Sequence, residues 1–446
     1  MTDTNLNSVR PYVIYAFISL ALMLSTRTDC TKAKVENTYP IAEKNEIINS
    51  LIPMSRAMMP PDVEQKAKQK EERILSFFRT PEQQFIPLGF YAMVHDMRNV
   101  EGLTKIRKNH INFVQKFHGK QSIENARKDL EAARQAGIGV FQNLPWLRLK
   151  EGRGFWENHI SKLASDPQII IWDLPEEVTM EELPYQRMIA NIIRKYDDKN
   201  RPMITYANNY VPGYWEQTAE FTDAIIFGLY PIYYPGHPRA NGKRMIDKAY
   251  QVGVPVVFKA VEALEKDGKW TKPKEVRFDT YMSLISGAKG IIFYCWARAR
   301  NNEELLQEVF RISEELNGTD KLGEVFIKGT IPDGIECRLL EGKSYAPPAT
   351  CFENRRPDIK FRYSSLQWTA RIHQGYIYIF AVNMNETIMN KDYESKRNDI
   401  KVEFYCPGIS DSTINVLYES RSLNHSRGRF VDVFESLDTH IYKIAL

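Results

Sequence analysis

The chain predicts an α/β fold, a (β/α)8 TIM barrel followed by a small antiparallel β-sandwich domain, and three observations point to it. Eight short apolar runs rich in β-branched residues alternate with amphipathic helical stretches between residues 86 and 316. Eight parallel strands, each followed by a helix, is the number that closes such a barrel. An open doubly wound sheet usually carries a glycine-rich phosphate loop after its first strand, and Tyr91-Ala92-Met93-Val94-His95-Asp96 is not one. After Gly323 the texture changes to short runs of alternating apolar and polar residues, separated by Pro, Gly and Asn-Ser turns. That is the pattern of antiparallel β-structure.

From the N-terminus, Arg10 precedes an uncharged apolar run at 11–25, and polar residues follow. This is the layout of a secretory signal peptide, so residues 1–30 are set apart from the fold and no membrane span is predicted in the mature chain. Export would place the protein outside the cell, in a periplasm or at the cell surface. Cys30 is the candidate for a lipid anchor, although Arg27-Thr28-Asp29 before it lacks the small residues such a site prefers. Residues 31–80 read as a helical leader, with helices predicted at 43–52 and 63–78 on either side of Pro60-Pro61.

The barrel is predicted over 81–325, with strands at 86–94, 111–117, 139–144, 168–174, 203–207, 224–230, 255–261 and 290–296. Amphipathic stretches at 123–136, 155–165, 180–196, 243–252, 277–286 and 302–316 supply crossover helices. The sandwich is predicted over 326–446, with strands at 377–382, 400–405, 413–418 and 440–444.

With 446 residues, 43% apolar side chains and a net charge of +4, the chain can bury a large core and has no polyelectrolyte character. Lys and Arg do not gather on one element, which argues against nucleic acid as a partner. Of the five cysteines, Cys295 sits in an apolar run and reads as a buried thiol. Cys337 and Cys351 are the easiest pair to close as a disulfide after export, and no spacing resembles a zinc site. No metal or cofactor is therefore predicted. Aromatics at 12%, including 23 Tyr and 7 Trp, suit stacking on sugar rings as well as plain core packing.

The run 168–178, Gln-Ile-Ile-Ile-Trp-Asp-Leu-Pro-Glu-Glu-Val, organises the rest. Three isoleucines between Pro167 and Pro175 describe a strand buried on both faces, and it runs straight into Glu176 and Glu177. In a barrel, the C-terminal strand ends build the active site. Those ends offer His95 and Asp96, then Gln142, Asn143 and Trp146, then Asp173, Glu176 and Glu177. They continue with Tyr206, Asn208 and Asn209, then Tyr230 and Tyr233, then Glu262, then Trp296 and Arg298. By alternation Glu262 shares a face with Val256, Phe258 and Ala260, while Lys259 takes the other. Two carboxyl groups across a pocket are what glycosidic bond cleavage needs, one donating a proton to the leaving oxygen and the other attacking carbon or activating water.

On these residues the chain resembles the clan-A retaining glycoside hydrolases. Residues 172–178, Trp-Asp-Leu-Pro-Glu-Glu-Val, are similar to a Trp-Tyr-Leu-x-Asp-Glu-Pro pattern of secreted relatives. Residues 287–296 resemble their eighth strand, which ends in an aromatic floor under the sugar, and 428–434 with 440–443 resemble the closing strands of the sandwich that follows such barrels. The resemblance implies Glu177 as acid/base with Glu176 as its acidic neighbour, and Glu262 as nucleophile. It departs at Glu176, where many members carry Asn. It implies a secreted enzyme that cleaves O-glycosidic bonds of a polysaccharide or oligosaccharide, with Glu176, Tyr230, Trp296, Asn143, Tyr206, Asp96 and Arg298 as substrate contacts. Two other readings compete. One is a barrel that binds carbohydrate without cleaving it, and the other an inverting or substrate-assisted hydrolase that uses Asp173 and Glu176 from strand four alone. Each residue also has a plainer role open to it: surface acids for Glu177 and Glu262, a helix N-terminal acid for Glu176, and a core plug for Trp296.

Overall fold

The computed structural model describes residues 61–77, 85–91, 96–116, 120–176, 178–207, 213–233, 238–346, 363–386, 398–409 and 413–446. Helix α1 (Pro61–Ser76) precedes the barrel. The barrel strands follow as β1 (Leu88–Phe90), β2 (Phe113–Gln115), β3 (Gly139–Asn143), β4 (Ile169–Leu174), β5 (Met203–Tyr206), β6 (Ala224–Gly228), β7 (Val257–Glu262) and β8 (Gly290–Tyr294). They close in the order β1-β8-β7-β6-β5-β4-β3-β2, and every pairing is parallel. Of the predicted strands at 86–94 and 111–117, three residues each are strand among the described residues, while 92–94 and 117 lie outside them.

Helices α2 (Val100–Lys108), α3 (Ile123–Ala136), α4 (Arg153–Ser161), α5 (Leu183–Tyr196), α6 (Tyr214–Ala219), α7 (Asn241–Gln251), α8 (Pro273–Ile285), α9 (Trp296–Ala299), α10 (Glu303–Asn317) and α11 (Leu322–Lys328) surround the ring. Helix α3 falls where its sequence places it. Ser122 accepts from the Asn125 N–H at its start, and Gly137 ends it at φ 67°, a left-handed conformation open to glycine without strain. Helix α11 crosses the boundary predicted at 325/326.

Inside the ring, Phe113, Phe141, Ile171, Ile204, Ile226, Val256, Phe258, Ala260 and Ile292 form one cluster. Phe113 and Phe141 stack at 3.9 Å. Gly290 gives Phe258 room to lie across the interior, since a Cβ there would sit 2.2 Å from its ring. The leader is part of this core. Ile74 of α1 belongs to the interior cluster, Lys70 Nζ donates to Thr222 O at 3.2 Å, Arg73 pairs with Asp223, and Glu71 meets Lys289 at 2.8 Å. Thr222, Asp223 and Lys289 lie just before β6 and β8, so α1 closes the end of the barrel opposite the strand C-termini.

The C-terminal domain pairs a three-stranded sheet with a five-stranded one. The first runs β9 (Glu336–Glu341), β12 (Ile400–Tyr405), β15 (Arg429–Phe434). The second runs β10 (Leu366–His373), β11 (Tyr376–Asn383), β16 (Thr439–Ala445), β13 (Ile414–Val416), β14 (Arg421–Leu423). Trp368, Ile379, Val402, Phe404, Phe430 and Tyr442 fill the space between the sheets. The outer face of the five-stranded sheet meets the barrel helices, with Phe380 4.2 Å from Phe326 and 6.4 Å from Tyr281 between ring centroids. Lys274 of α8 adds an ion pair with Asp438 at 2.6 Å.

Cys337 is a buried free thiol, which overturns the expected pairing with Cys351, itself outside the described residues. Cys406 is likewise free and buried, and Cys295 is half-buried rather than enclosed. The predicted signal peptide, Cys30 and the helix at 43–52 also lie outside the described residues. Among the described residues no helix is long and apolar enough to cross a membrane, and no cluster of three or more His, Cys, Asp or Glu could hold a metal ion.

Candidate active site

The site grows from the end of β4. Ile171 points into the barrel, so Asp173, two residues on, points the same way and is fully buried. Pro175 then turns the chain. Its carbonyl accepts from Gln186 Nε2 at 2.7 Å and Thr205 Oγ1 at 3.4 Å, which fixes the turn against α5 and β5. Glu176 therefore overhangs the mouth.

Three neutral donors from three strand ends hold its carboxyl group. Gln115 Nε2 and Asn143 Nδ2 donate to Oε1 at 2.9 and 3.1 Å, and the Tyr91 hydroxyl donates to Oε2. The same two amides also donate to Asp173 Oδ2, at 2.6 and 3.0 Å. Asp173 and Glu176 are thus bridged by a shared pair of NH2 groups. Burial pushes the Asp173 carboxyl up to about 6, against the pull of its hydrogen bonds from Gln115, Asn143 and Glu176. Burial and the two neighbouring acids raise the Tyr91 hydroxyl well above its usual range, so it stays a donor.

Glu262 stands at the end of β7 on the inward face with Phe258 and Ala260, as alternation predicts. Lys259 takes the outer face, where burial lowers its ammonium to about 8. Glu262 has no exposed surface. The Ile232 N–H donates to its Oε1 at 2.9 Å, and Arg239 Nη2 donates to Oε2 at 2.9 Å. Arg239 also donates to Asp279 Oδ2 at 2.5 Å and lies 3.2 Å from Glu275 Oε2. Burial raises Glu262 to about 7, and Asp279 adds to the rise while Arg239 and the Ile232 N–H oppose it.

Tyrosines pave the floor between the two carboxyl groups. Tyr206 and Tyr230 share a hydrogen bond of 2.7 Å between their hydroxyls, and Tyr230 stacks on Tyr294 at 4.6 Å. Tyr91 lies 5.3 Å from Tyr294 and 6.0 Å from Tyr206 between ring centroids. Tyr294 is the register partner of Glu262 across the β7–β8 pair. Gly228 makes the tyrosine pair possible, because a Cβ there would stand 2.0 Å from the Tyr206 hydroxyl and 2.3 Å from that of Tyr230.

Glu176, Asn143, Tyr206, Tyr230 and Glu262 are therefore brought to one mouth. Glu177, His95, Asn208 and Asn209 lie outside the described residues. Trp296 packs into the outer layer, 7% exposed and edge-on to Phe90 at 4.9 Å, with its indole N–H on Asp96 at 2.5 Å. The eighth strand ends two residues earlier, so the aromatic that reaches the floor is Tyr294 and Trp296 begins α9. Asp96 is occupied by Trp296 and Arg300, and Arg298 sits half-exposed, 3.7 Å from Glu265. Sequence reasoning missed Gln115, Tyr91, Tyr294 and Arg239. A glutamine closing the apolar run 113–115 was a readable signal. Arg239, in a loop between β6 and α7, carries none.

The sequence matches no protein-family model and no curated protein. Among solved structures it is similar to the α-amylase from Geobacillus thermoleovorans in complex with acarbose, at 9% identity and a TM-score of 0.50, over 81% of this chain and 98% of that one. An Anoxybacillus α-amylase gives 11% identity and 0.50 over 81% and 98%. A catalytic mutant of a GH42 β-galactosidase from G. stearothermophilus gives 9% identity and 0.50 over 83% and 100%. At such identities the likeness is one of fold, that of a (β/α)8 barrel followed by a β-domain.

Proposed function

We propose that the protein is a glycoside hydrolase that cleaves O-glycosidic bonds of a polysaccharide or oligosaccharide by retaining double displacement. The observation that carries this reading is the pair of carboxyl groups on β4 and β7, held on either side of a tyrosine floor. Glu262 is the nucleophile: its inward place and Arg239 favour a positioned carboxylate able to bond the anomeric carbon. The acid/base comes from the end of β4. Among the described residues Glu176 takes that part, because it overhangs the mouth and shares two amide donors with Asp173, whose burial favours a proton held on the pair. Glu177 beside it remains the acid that the sequence resemblance favours. Tyr206, Tyr230 and Asn143 line the substrate's path. The solved structures of like fold, two α-amylases and a β-galactosidase, support a carbohydrate as substrate. Residues 1–30 act as the export signal, with Cys30 as a lipid anchor in the alternative; N-terminal sequencing of the secreted chain tests this.

The central test is turnover on a panel of aryl glycosides and polysaccharides, with product anomers followed by NMR. Glu262→Ala abolishes turnover and azide restores it as a glycosyl azide. One observation favours a second reading: Asp173 and Glu176 are bridged within a single strand end, the geometry expected if they work without β7. Full activity in Glu262→Ala with none in Glu176→Gln or Asp173→Asn establishes that reading instead. No turnover on any glycan, with binding retained, leaves a carbohydrate-binding barrel.

A further inference from the structure

Four carboxyl groups surround the Arg239 guanidinium and its backbone, and they come from three parts of the chain. Glu262 closes β7, Glu275 and Asp279 stand on the first turns of α8, and Glu386 belongs to the β-domain, three residues beyond β11. Glu386 Oε2 accepts the Arg239 backbone N–H at 3.0 Å. The guanidinium of the same residue reaches Asp279 at 2.5 Å and Glu262 at 2.9 Å. Arg239 is 4% exposed, so none of these contacts is a solvated surface pair.

We infer that the β-domain contributes a positioning residue to the site, Glu386, which fixes Arg239 and through it the orientation and charge of the Glu262 carboxylate. The inference rests on Glu262 being the reacting carboxylate. Its physical basis is short range. Arg239 begins a tight turn just before α7, and its backbone N–H is held there by the Glu386 carboxyl group. Without that acceptor the turn can shift. Its guanidinium then has Asp279 and Glu275 on α8 to retreat to, which leaves Glu262 buried without its cation.

The charges facing the cluster are Lys259 beneath α8, Glu275 and Asp279 on α8, Arg239 and Glu262 in the site, and Glu386 from the β-domain. Lys274, next on α8, is engaged by Asp438 and Glu435 at 2.6 and 3.6 Å. Burial leads in raising Glu386 to about 7 against the pull of Arg239, with Asp279 and Glu275 adding to the rise, so near neutrality this acceptor is divided between its charged and neutral forms. Its anchoring role depends on an oxygen lone pair and not on charge.

The test is a direct titration of the full chain labelled with 13C at the glutamate carboxyl, with the Glu262 resonance assigned by its loss in Glu262→Gln. It needs no substrate, so a failure of turnover would sink the glycosidase reading and still leave this result readable. Glu386→Ala is expected to move the Glu262 titration upward by about one pH unit, since its cationic partner is lost. Glu386→Gln keeps a carbonyl acceptor and holds it in place. Glu386→Asp, which withdraws the oxygen while preserving charge, moves it as Ala does and decides the matter if the Ala chain does not fold. Glu435→Ala, which breaks an exposed ion pair at the same domain contact, leaves it unmoved. An unshifted Glu262 in folded Glu386→Ala or Glu386→Asp, or an equal shift in Glu386→Gln, overturns the inference.

Discussion

Glu262 joins structure to pH. Its carboxyl goes from 4.5 to about 7 on folding, so the folded chain binds this proton more tightly than the unfolded one. Its contribution to stability is therefore whole below about pH 4.5 and is lost as pH rises through about 7, a difference on the order of 3 kcal/mol. Glu262→Gln is expected to flatten that fall, so thermal melts of variant and wild type differ most near pH 8 and converge near pH 5. In catalysis the same ionisation sets the acid limb: kcat/KM rises with pH until Glu262 is charged. Asp173→Asn removes the acid whose burial favours a proton on the β4 pair, and the alkaline limb of the pH–rate profile is expected to move. A limb that stays put would separate Asp173 from the proton donor. Gly228→Ala drives a methyl into the hydroxyls of Tyr206 and Tyr230. Calorimetry should register a loss of about 1–3 kcal/mol, as overpacking costs elsewhere, and activity should fall with it.

How legible each element was follows from what covers it. Strands β3 to β8 were readable because a parallel strand buried on both faces writes a continuous apolar run, and β12 because one side faces solvent and it alternates; β15 alternates too, but was reached only through the family resemblance of residues 428–434. Strand β10 is half polar by composition, Leu-Gln-Trp-Thr-Ala-Arg-Ile-His, yet buried along most of its length, because its second face lies against the barrel helices. Helix α8 hid its true start for the same reason. It is covered by β7 on one side and by the β-domain on the other, and so shows no polar face to mark a period. In the site, acids at strand ends were legible as an apolar run stopping at charge. Arg239 and Glu386 were not, since each lies in a loop and acquires meaning only where three distant segments meet. Helix α1 read as a leader of uncertain place because its long polar face outweighs one decisive contact. Ile74→Ala is expected to cost about 2–4 kcal/mol in chemical denaturation, the range for an aliphatic side chain removed from a packed interior. A smaller loss would mean that the barrel closes without it.

The whole molecule behaves as one cooperative body if the contacts between barrel and β-domain are as apolar as Phe380, Phe326 and Tyr281 make them. Phe380→Ala is expected to lower the melting temperature of the single transition rather than split it. Two separated transitions in calorimetry would show domains that fold apart. Such cooperativity suits a site whose parts come from both ends of the chain.

The helix that shuts the lower end of the barrel also constrains how the protein is made. It leaves the ribosome before any of the strands it will seal, and the ring has no hole to fill until β8 emerges and pairs with β1. At about 5–20 residues per second, translation keeps Ile74 waiting on the order of ten seconds or more. During that interval an amphipathic segment with a greasy stripe is a natural client for a nascent-chain chaperone.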